Sequence, residues 1–169
     1  MTTWSLDRLN TAPEDERLRS ALRRCCSAEA WVTEVIVGRP YANEDELCAA
    51  SDAGTAMLDE AGFAEALAGH PQIGKPTSGS GGQWSRREQA GVGTADEELL
   101  TSLGQANAAY EERFGHLYLV YANGRSAAEL LAICRSRLAN DPATERRVAL
   151  TDLAAINRLR LGKLLRSEG

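Results

Sequence analysis

One polar stretch of the sequence, residues 69–93, holds the side chains best suited to acid–base chemistry. It contains His70, one of only two histidines in the chain, followed directly by Pro71. An imidazole has an ordinary pKa of ~6.5, so it can give or take a proton at neutral pH. Pro71 fixes the backbone torsion that directs the chain away from His70. Taken alone, His70 is either a general acid or base, or a structural histidine.

A carboxylate and an amide, Glu88 and Gln89, lie near the far end of the same stretch. The glycines and serines between them and His70 allow the chain to fold back, which would bring the carboxylate to the imidazole. Ser85 precedes Glu88 by the spacing of a helix capping box. The residues therefore leave open whether Glu88 belongs to a site or only caps a helix.

A third candidate, Arg160, lies in the last helical segment. It follows Ile156 by about one turn, which places it on the inward side, whereas Arg158 falls on another face. The planar guanidinium suits a carboxylate or a ring oxygen. We therefore predict an inward Arg160 that binds an anionic ligand. The second histidine, His116, precedes the strand-like segment and is interpreted as structural.

Composition and missing motifs disfavour several classes of function. Two distant histidines without clustered cysteines or aspartates do not resemble a metal site, and no phosphate-binding glycine motif occurs. The net charge of −5 disfavours binding to a nucleic-acid backbone. No signal-peptide pattern and no apolar run of the ~18 residues needed to span a membrane is present. We expect a cytoplasmic protein without metal, with four reduced cysteines: Cys25, Cys26, Cys48 and Cys134.

Helical periodicity on both sides of the stretch predicts an all-α scaffold. We predict N-terminal helices near residues 4–10, 13–25, 28–37 and 43–58, then a break at Gly62 and a helical turn over 63–68. The predicted caps of these helices are Ser5 or Thr3, Ser27 and Asn43. Beyond the stretch, Asp96 opens a helix that Gly115 ends, Ser126 caps residues 127–138, and Glu145 begins a helix that reaches Leu165.

The only strand-like segment runs from His116 to Ala122. A single strand has no partner, so we predict a buried extended linker there. The length of 169 residues fits one domain. The prediction is a single-domain, all-α bundle of seven to nine helices without significant sheet.

Four motifs in a fixed order resemble the 2-oxo-4-hydroxy-4-carboxy-5-ureidoimidazoline (OHCU) decarboxylases. They read His-Pro-Gln-Ile-Gly from His70, Ser-x-x-Glu-Gln-Ala-Gly from Ser85, Asn-x-x-Tyr-x-x-Arg-Phe-Gly from Asn107 and Ile-x-x-Leu-Arg-Leu from Ile156. Each motif is modest alone, but the four in this order are specific, and the resemblance covers nearly the whole chain. Members of this family are all-helical, cofactor-free and usually dimeric. They catalyse the last step from urate to (S)-allantoin.

The resemblance implies roles for particular residues. The histidine of the His-Pro motif is the family's catalytic acid, assisted by the glutamate and the late arginine, so these roles fall on His70, Glu88 and Arg160. The implied substrate contacts are Pro71, Ser85, Arg86, Arg87, Glu88, Gln89 and the backbone of Tyr118, Leu119, Val120, Tyr121 and Ala122. Because Lys75–Gln83 is richer in glycine and serine than the family pattern, we expect a different pocket lid.

Two other functions are open at this point. An acidic all-α protein can be a non-catalytic module that binds a partner helix. The same fold could also act on a related ureide as a different lyase or hydrolase, because fold does not determine function.

Overall fold

The computed structural model describes residues 3–74, 82–93 and 95–166, with only the backbone of Gly82 and Gln83. Within those ranges the protein is built from nine α-helices and contains no strand. This confirms the prediction of an all-α fold with seven to nine helices. The predicted lid residues up to position 81 lie outside the described residues. None of the described helices is both long and apolar enough to cross a lipid bilayer.

The helices follow one another along the chain. They are α1 Leu6–Thr11, α2 Glu16–Arg23, α3 Glu29–Val37, α4 Glu44–Ala56, α5 Glu60–Ala68, α6 Gly82–Glu88, α7 Glu97–Phe114, α8 Ala127–Arg137 and α9 Pro142–Leu165. They form two compact units, one comprising the chain up to Gly69 together with Ala154 onward, the other His70–Leu153. The single-domain organisation stays a prediction.

In the first unit, α3 packs against α2, α4 and α5. Trp31 on α3 is fully buried, and its indole N–H donates to the side chain of Ser51 at 3.2 Å. Two of the predicted caps are confirmed. Ser5 accepts from the amide of Arg8 at 3.2 Å, and Asn43 accepts from the amide of Glu46 at 2.9 Å.

Two helix boundaries in this unit differ from the prediction. The predicted cap Ser27 instead donates to the carbonyl of Glu65 at 2.6 Å, and α3 begins without a side-chain cap. Gly62 does not break a helix but lies inside α5, because Asp59 accepts from the amide of Gly62 at 2.7 Å and caps that helix. Local propensity predicted a break at the glycine, but the aspartate three residues earlier satisfies the exposed amide.

Two other helices start at different residues than predicted. Helix α2 begins at Glu16 rather than at Pro13, because Asp15 accepts from the amide of Leu18 at 3.0 Å. Helix α9 begins at Pro142 rather than at Glu145. Proline suits a first helical position, where its missing N–H leaves no bond unmade.

In the second unit, α7 packs against α8. Asp96 caps α7, Gly115 ends it with a left-handed φ of 76°, and Ser126 forms a capping box with Glu129, all at predicted positions for helix ends. Residues 117–120 are neither helix nor strand, and Tyr118, Leu119, Val120 and Ala122 are buried. The prediction of a linker without a strand partner is therefore confirmed, and most of residues 118–122 are buried.

Candidate functional site

The loop that begins at His70 opens the second unit. His70 is partly exposed, although its Nε2 atom is buried. Ile73, three residues on, is buried in the core cluster of this unit. Gly74 follows with a φ of 92°, a left-handed conformation that favours glycine. The loop is thus fixed at Ile73 by its side chain and turns at Gly74.

Two buried amide side chains from other parts of the chain bind the main chain of this loop. Asn107 on α7 is 1% exposed, and its Nδ2 donates to the carbonyl of Ile73 at 3.1 Å. Gln89 is buried too, and its Oε1 accepts from the amide of Gly74 at 2.9 Å. The second bond ties the loop that starts at His70 to the helix end that carries Glu88.

Helix α6 presents a buried polar face. Ser85, Glu88 and Gln89 are buried, whereas Arg86 and Arg87 are exposed. Ser85 lies inside α6 and its carbonyl accepts from the amide of Gln89 at 3.0 Å. The interpretation of Glu88 as a capping-box partner is therefore wrong, because the helix begins before Ser85. The predicted substrate-contacting segment has one buried side and one solvent side.

The extended stretch from Tyr118 to Ala122 is held by charged side chains. Arg137 Nη1 donates to the carbonyl of Leu119 at 2.7 Å. Two residues further along, the amide of Tyr121 donates to Asp152 Oδ2 at 3.2 Å. The carbonyl of Tyr121 accepts from Arg125 Nε at 2.9 Å. These bonds fix the peptide planes that were predicted to face the substrate.

The charged groups form one buried network around Arg137 and Glu145. Glu145 is fully buried, accepts from Arg137 Nε at 2.7 Å and from the hydroxyl of Tyr110 at 2.5 Å, and also accepts from Asn140 at 3.0 Å. The guanidinium of Arg137 lies 5.1 Å from the ring centroid of Tyr118. A buried carboxylate and guanidinium with this many partners are electrostatically satisfied.

The two carboxylates of the network have pKa values that move in opposite directions. Burial alone would raise the pKa of Glu145, but hydrogen bonds from Arg137, Tyr110 and Asn140 outweigh it and hold the pKa below its ordinary value. Burial raises the pKa of Asp152, and the amide of Tyr121 and the charge of Arg137 offset only part of this. Glu145 is stabilised as an anion, whereas burial makes the charged form of Asp152 less favourable than it is in water.

Arg160 lies on the part of α9 that belongs to the first unit. It is 3% exposed, which confirms the predicted inward position. Arg158 is exposed and donates to Asp52 at 2.9 Å. Burial raises the pKa of the Cys26 thiol to about 11, and the charge of Arg160 is among the influences that lower it. His70 and Glu88 belong to the second unit, so their convergence with Arg160 stays a prediction.

The remaining candidates have structural surroundings. The ring of His116 stacks on Phe114 and meets the edge of Tyr110, with centroid distances of 6.3 and 5.5 Å. Its Nδ1 lies 3.0 Å from the carbonyl of Leu117. All four cysteines are free thiols, three of them buried. Among the described residues, no three His, Cys, Asp or Glu side chains are grouped to hold a metal ion.

Most of the chain matches the model of a known protein family. The family model described as OHCU decarboxylase matches residues 10–162, which is most of the chain. The chain belongs to the OHCU decarboxylase family. This confirms the family predicted from the four motifs.

Two relatives of this OHCU decarboxylase family member come from different organisms. The 2-oxo-4-hydroxy-4-carboxy-5-ureidoimidazoline decarboxylase of Amia calva is 30% identical over 89% of this chain and 86% of its own length. The uric acid degradation bifunctional protein TTL of Arabidopsis thaliana is 26% identical over 83% of this chain. The chain spans only 45% of that plant protein.

A solved structure shares the fold. It is a crystal structure of OHCU decarboxylase in the presence of (S)-allantoin, with a TM-score of 0.76 and 24% identity. The match covers 87% of this chain and 98% of that one. The likeness supports the helical architecture of this OHCU decarboxylase family member.

Sequence reasoning about this OHCU decarboxylase family member missed the groups that support the site. None of the four motifs contains Arg137, Glu145 or Asp152. Charged residues in helical segments are usually exposed to solvent, so these three gave no sign of burial. Asn107 was part of a matched motif but received no role. Gln89 was predicted as a substrate contact, and its contact with Gly74 was not foreseen. Long-range bonds to main-chain groups leave no local pattern in a sequence.

Proposed function

We propose that this protein decarboxylates OHCU to (S)-allantoin and CO₂ without a cofactor. Family membership supports the reaction, and the bond between Gly74 and Gln89 is the structural observation that carries it. This bond joins the His-Pro loop to the end of α6, so that the proposed acid His70 and its partner Glu88 belong to one folded unit.

The substrate itself supplies the electron sink. Its reacting ring carbon bears a carboxylate and a hydroxyl and adjoins a C=N bond. When the bond to the carboxylate breaks, CO₂ leaves and the electron pair forms a C=C bond to the carbon of the C=N. The π pair of the C=N moves to its nitrogen, which takes a proton. The resulting ene-ol becomes the ring carbonyl of the product by losing its hydroxyl proton and taking a proton on the neighbouring carbon. Delivery of that proton to one face determines the handedness of the product.

In this proposal His70 transfers the proton and Glu88 orients its ring. Arg160 binds substrate oxygens through its fork of N–H donors. Gln89 already uses Oε1 to accept from Gly74, so its NH₂ group is the part that donates to the substrate. The buried face of α6 and the extended stretch from Tyr118 form further contacts.

The proposal is tested by mixing urate, urate oxidase, hydroxyisourate hydrolase and this protein, and following circular dichroism. Wild-type protein should produce (S)-allantoin faster than the spontaneous reaction, which gives a racemic product. His70→Ala should lower the rate at least ~100-fold, as expected for loss of a proton-transfer group. A His70→Ala variant that retains the wild-type rate would refute the role of His70.

Two arginines of α9 form a matched pair for the anion-binding role. Arg160→Ala should raise KM and lower kcat, because a buried guanidinium is lost. Arg158→Ala removes the same charge from an exposed position and should leave both constants near wild type. Equal behaviour of the two variants would contradict the role of Arg160.

We also propose a homodimer that works in the cytoplasm, on the basis of the resemblance to the family. Light scattering should give twice the monomer mass, and cell fractionation should recover the protein with cytoplasmic markers. A monomer, or recovery in another fraction, would overturn the corresponding part of this proposal.

A further inference from the structure

One buried amide side chain near the His-Pro loop makes a hydrogen bond through only one of its two polar atoms. Asn107 donates through Nδ2 to the carbonyl of Ile73. Because a carbonyl oxygen can only accept, this bond determines which end of the amide is nitrogen. Its other end, Oδ1, is buried and has no hydrogen-bond partner within the described part of the chain.

An unmatched acceptor in a core is unfavourable, and a leucine of similar size would avoid it. Polar groups kept in such positions often serve function rather than stability. The part of Asn107 that leucine could not replace is its N–H donor to Ile73.

That donor acts on the same peptide group as Gln89. The carbonyl of Ile73 and the amide of Gly74 belong to one peptide bond, whose oxygen contacts Asn107 and whose nitrogen contacts Gln89. A peptide plane that precedes a glycine with positive φ can rotate at low steric cost. Two amides on its opposite edges oppose that rotation.

The orientation of this peptide is passed back toward His70. The side chain of Ile73 is anchored in the core, and Pro71 has a fixed φ. Both restraints lie in the short segment between the locked peptide and the imidazole. We expect a rotated peptide to shift this segment, and the ring of His70 with it.

We propose that Asn107 is a positioning residue which, with Gln89, locks the Ile73–Gly74 peptide and thereby sets the direction of His70. The inference rests on the proposed decarboxylase function. The lock itself is a structural property with its own readout, the hydrogen exchange of the Gly74 amide.

The main test replaces Asn107 by leucine. Asn107→Leu removes the donor and the unmatched acceptor together, so the two effects on stability offset each other and Tm should move by no more than about 3 °C. The kcat for (S)-allantoin should nevertheless fall about 10–100-fold, because a small displacement of a reacting group is costly. KM should change less than about 3-fold, since the α6 contacts remain. A purely structural role predicts the reverse pattern, with lower Tm and unchanged kcat.

A control variant loses a buried hydrogen bond elsewhere. Tyr41 donates its hydroxyl to the carbonyl of Val35 at 2.7 Å in the first unit. Tyr41→Phe should lower Tm while kcat stays at the wild-type value. If Tyr41→Phe also lost kcat, the loss in Asn107→Leu would not be specific and the proposal would fail.

A second variant changes the backbone preference of the locked peptide rather than its hydrogen-bond partners. Gly74 is exposed, and a Cβ built there meets no atom within 4 Å, so Gly74→Ala is strained only through its φ of 92°. Gly74→Ala should favour the rotated peptide and lower kcat as Asn107→Leu does. If Asn107→Leu does not fold, the kcat of Gly74→Ala tests the proposal instead. Wild-type kcat in either folded variant overturns the proposal.

Hydrogen exchange separates the lock from the reaction. The Gly74 amide should exchange slowly in wild-type protein and at least about 10-fold faster in Asn107→Leu. If wild-type protein made no (S)-allantoin, the proposed function would fail. The difference in Gly74 exchange rate between wild type and Asn107→Leu would still show whether the Ile73–Gly74 peptide is locked. Equal exchange in the two proteins would overturn the lock whatever the activity.

Discussion

Two segments of the second unit are held in place by different chemistry. The loop 70–74 is held by the neutral amides of Asn107 and Gln89. The extended stretch 118–122 is held by Arg137, Arg125 and Asp152, whose charges are partly or wholly buried. Both sets of side chains act on main-chain groups next to predicted site residues.

The two kinds of support should differ in how much stability is lost when one side chain is replaced. Neutral amides hold the loop without placing another fixed charge beside the proposed acid, and each bond contributes only about 0.5–1.5 kcal/mol. The buried charges of the extended stretch depend on one another, because removing one leaves its partner uncompensated. The loop can therefore be perturbed with little loss of stability, whereas breaking the buried Arg137–Glu145 pair beside the stretch should be costly.

The largest expected effect is the loss of the buried anion at the centre of the charged network. Glu145→Gln leaves the guanidinium of Arg137 without its main counter-charge and should lower the free energy of unfolding by about 3–5 kcal/mol. Urea denaturation at pH 7 measures this change. A loss below about 1 kcal/mol would show that the extended stretch is no more rigidly held than the loop.

Acid should weaken the charged network in a predictable direction. The folded-state pKa of Glu145 lies below its ordinary value, so its contribution is complete above the unfolded pKa of about 4.3 and is lost as pH falls through the folded pKa. Wild-type stability, measured by urea denaturation from pH 6 downward, should therefore fall more steeply than that of Glu145→Gln. Parallel curves would contradict the assigned direction of the pKa shift.

A smaller effect is expected at the second carboxylate of the same network. Burial raises the pKa of Asp152, so its charged form is less stabilised than that of Glu145. Asp152→Asn keeps an oxygen that can accept from Tyr121, so the free energy of unfolding should change by less than about 1 kcal/mol. This variant is the matched control for Glu145→Gln. Asp152 also lies 3.3 Å from Arg137 Nη1, so a loss as large as that of Glu145→Gln would mean that Arg137 depends on both carboxylates equally.

The smallest effect is expected at the solvent side of the loop. Gln72 donates to Glu111 at 3.1 Å, and this contact is exposed. Gln72→Ala should change the free energy of unfolding by less than about 0.5 kcal/mol and leave kcat within twofold. If kcat fell as far as in Asn107→Leu, any contact with the loop would be important, and the inferred lock would lose its specificity.

Much of the helical scaffold could be predicted because its determinants are local. Asn43, Asp96 and Ser126 cap helices through bonds to amides three residues away, and such spacing is visible in a sequence. Ser27 has the right residue type for a cap but bonds to Glu65, a contact that only the folded chain creates.

The site shows the same division between local and long-range information. His70 and Glu88 could be selected from residue type and motif order. The supporting residues could not, because Arg137 reaches Leu119 and Asn107 reaches Ile73 across long separations in the chain. Polar residues that serve distant main-chain groups have no spacing rule that would identify them.

The account depends on three side chains from separate parts of the chain meeting around one small anionic ring. A crystal of this protein soaked with (S)-allantoin tests that claim most directly. We predict the ligand within hydrogen-bonding distance of His70, Gln89 and Arg160, with Glu88 bonded to the imidazole. A structure in which the side chains of His70 and Arg160 face separate surfaces, with no ligand between them, would contradict it.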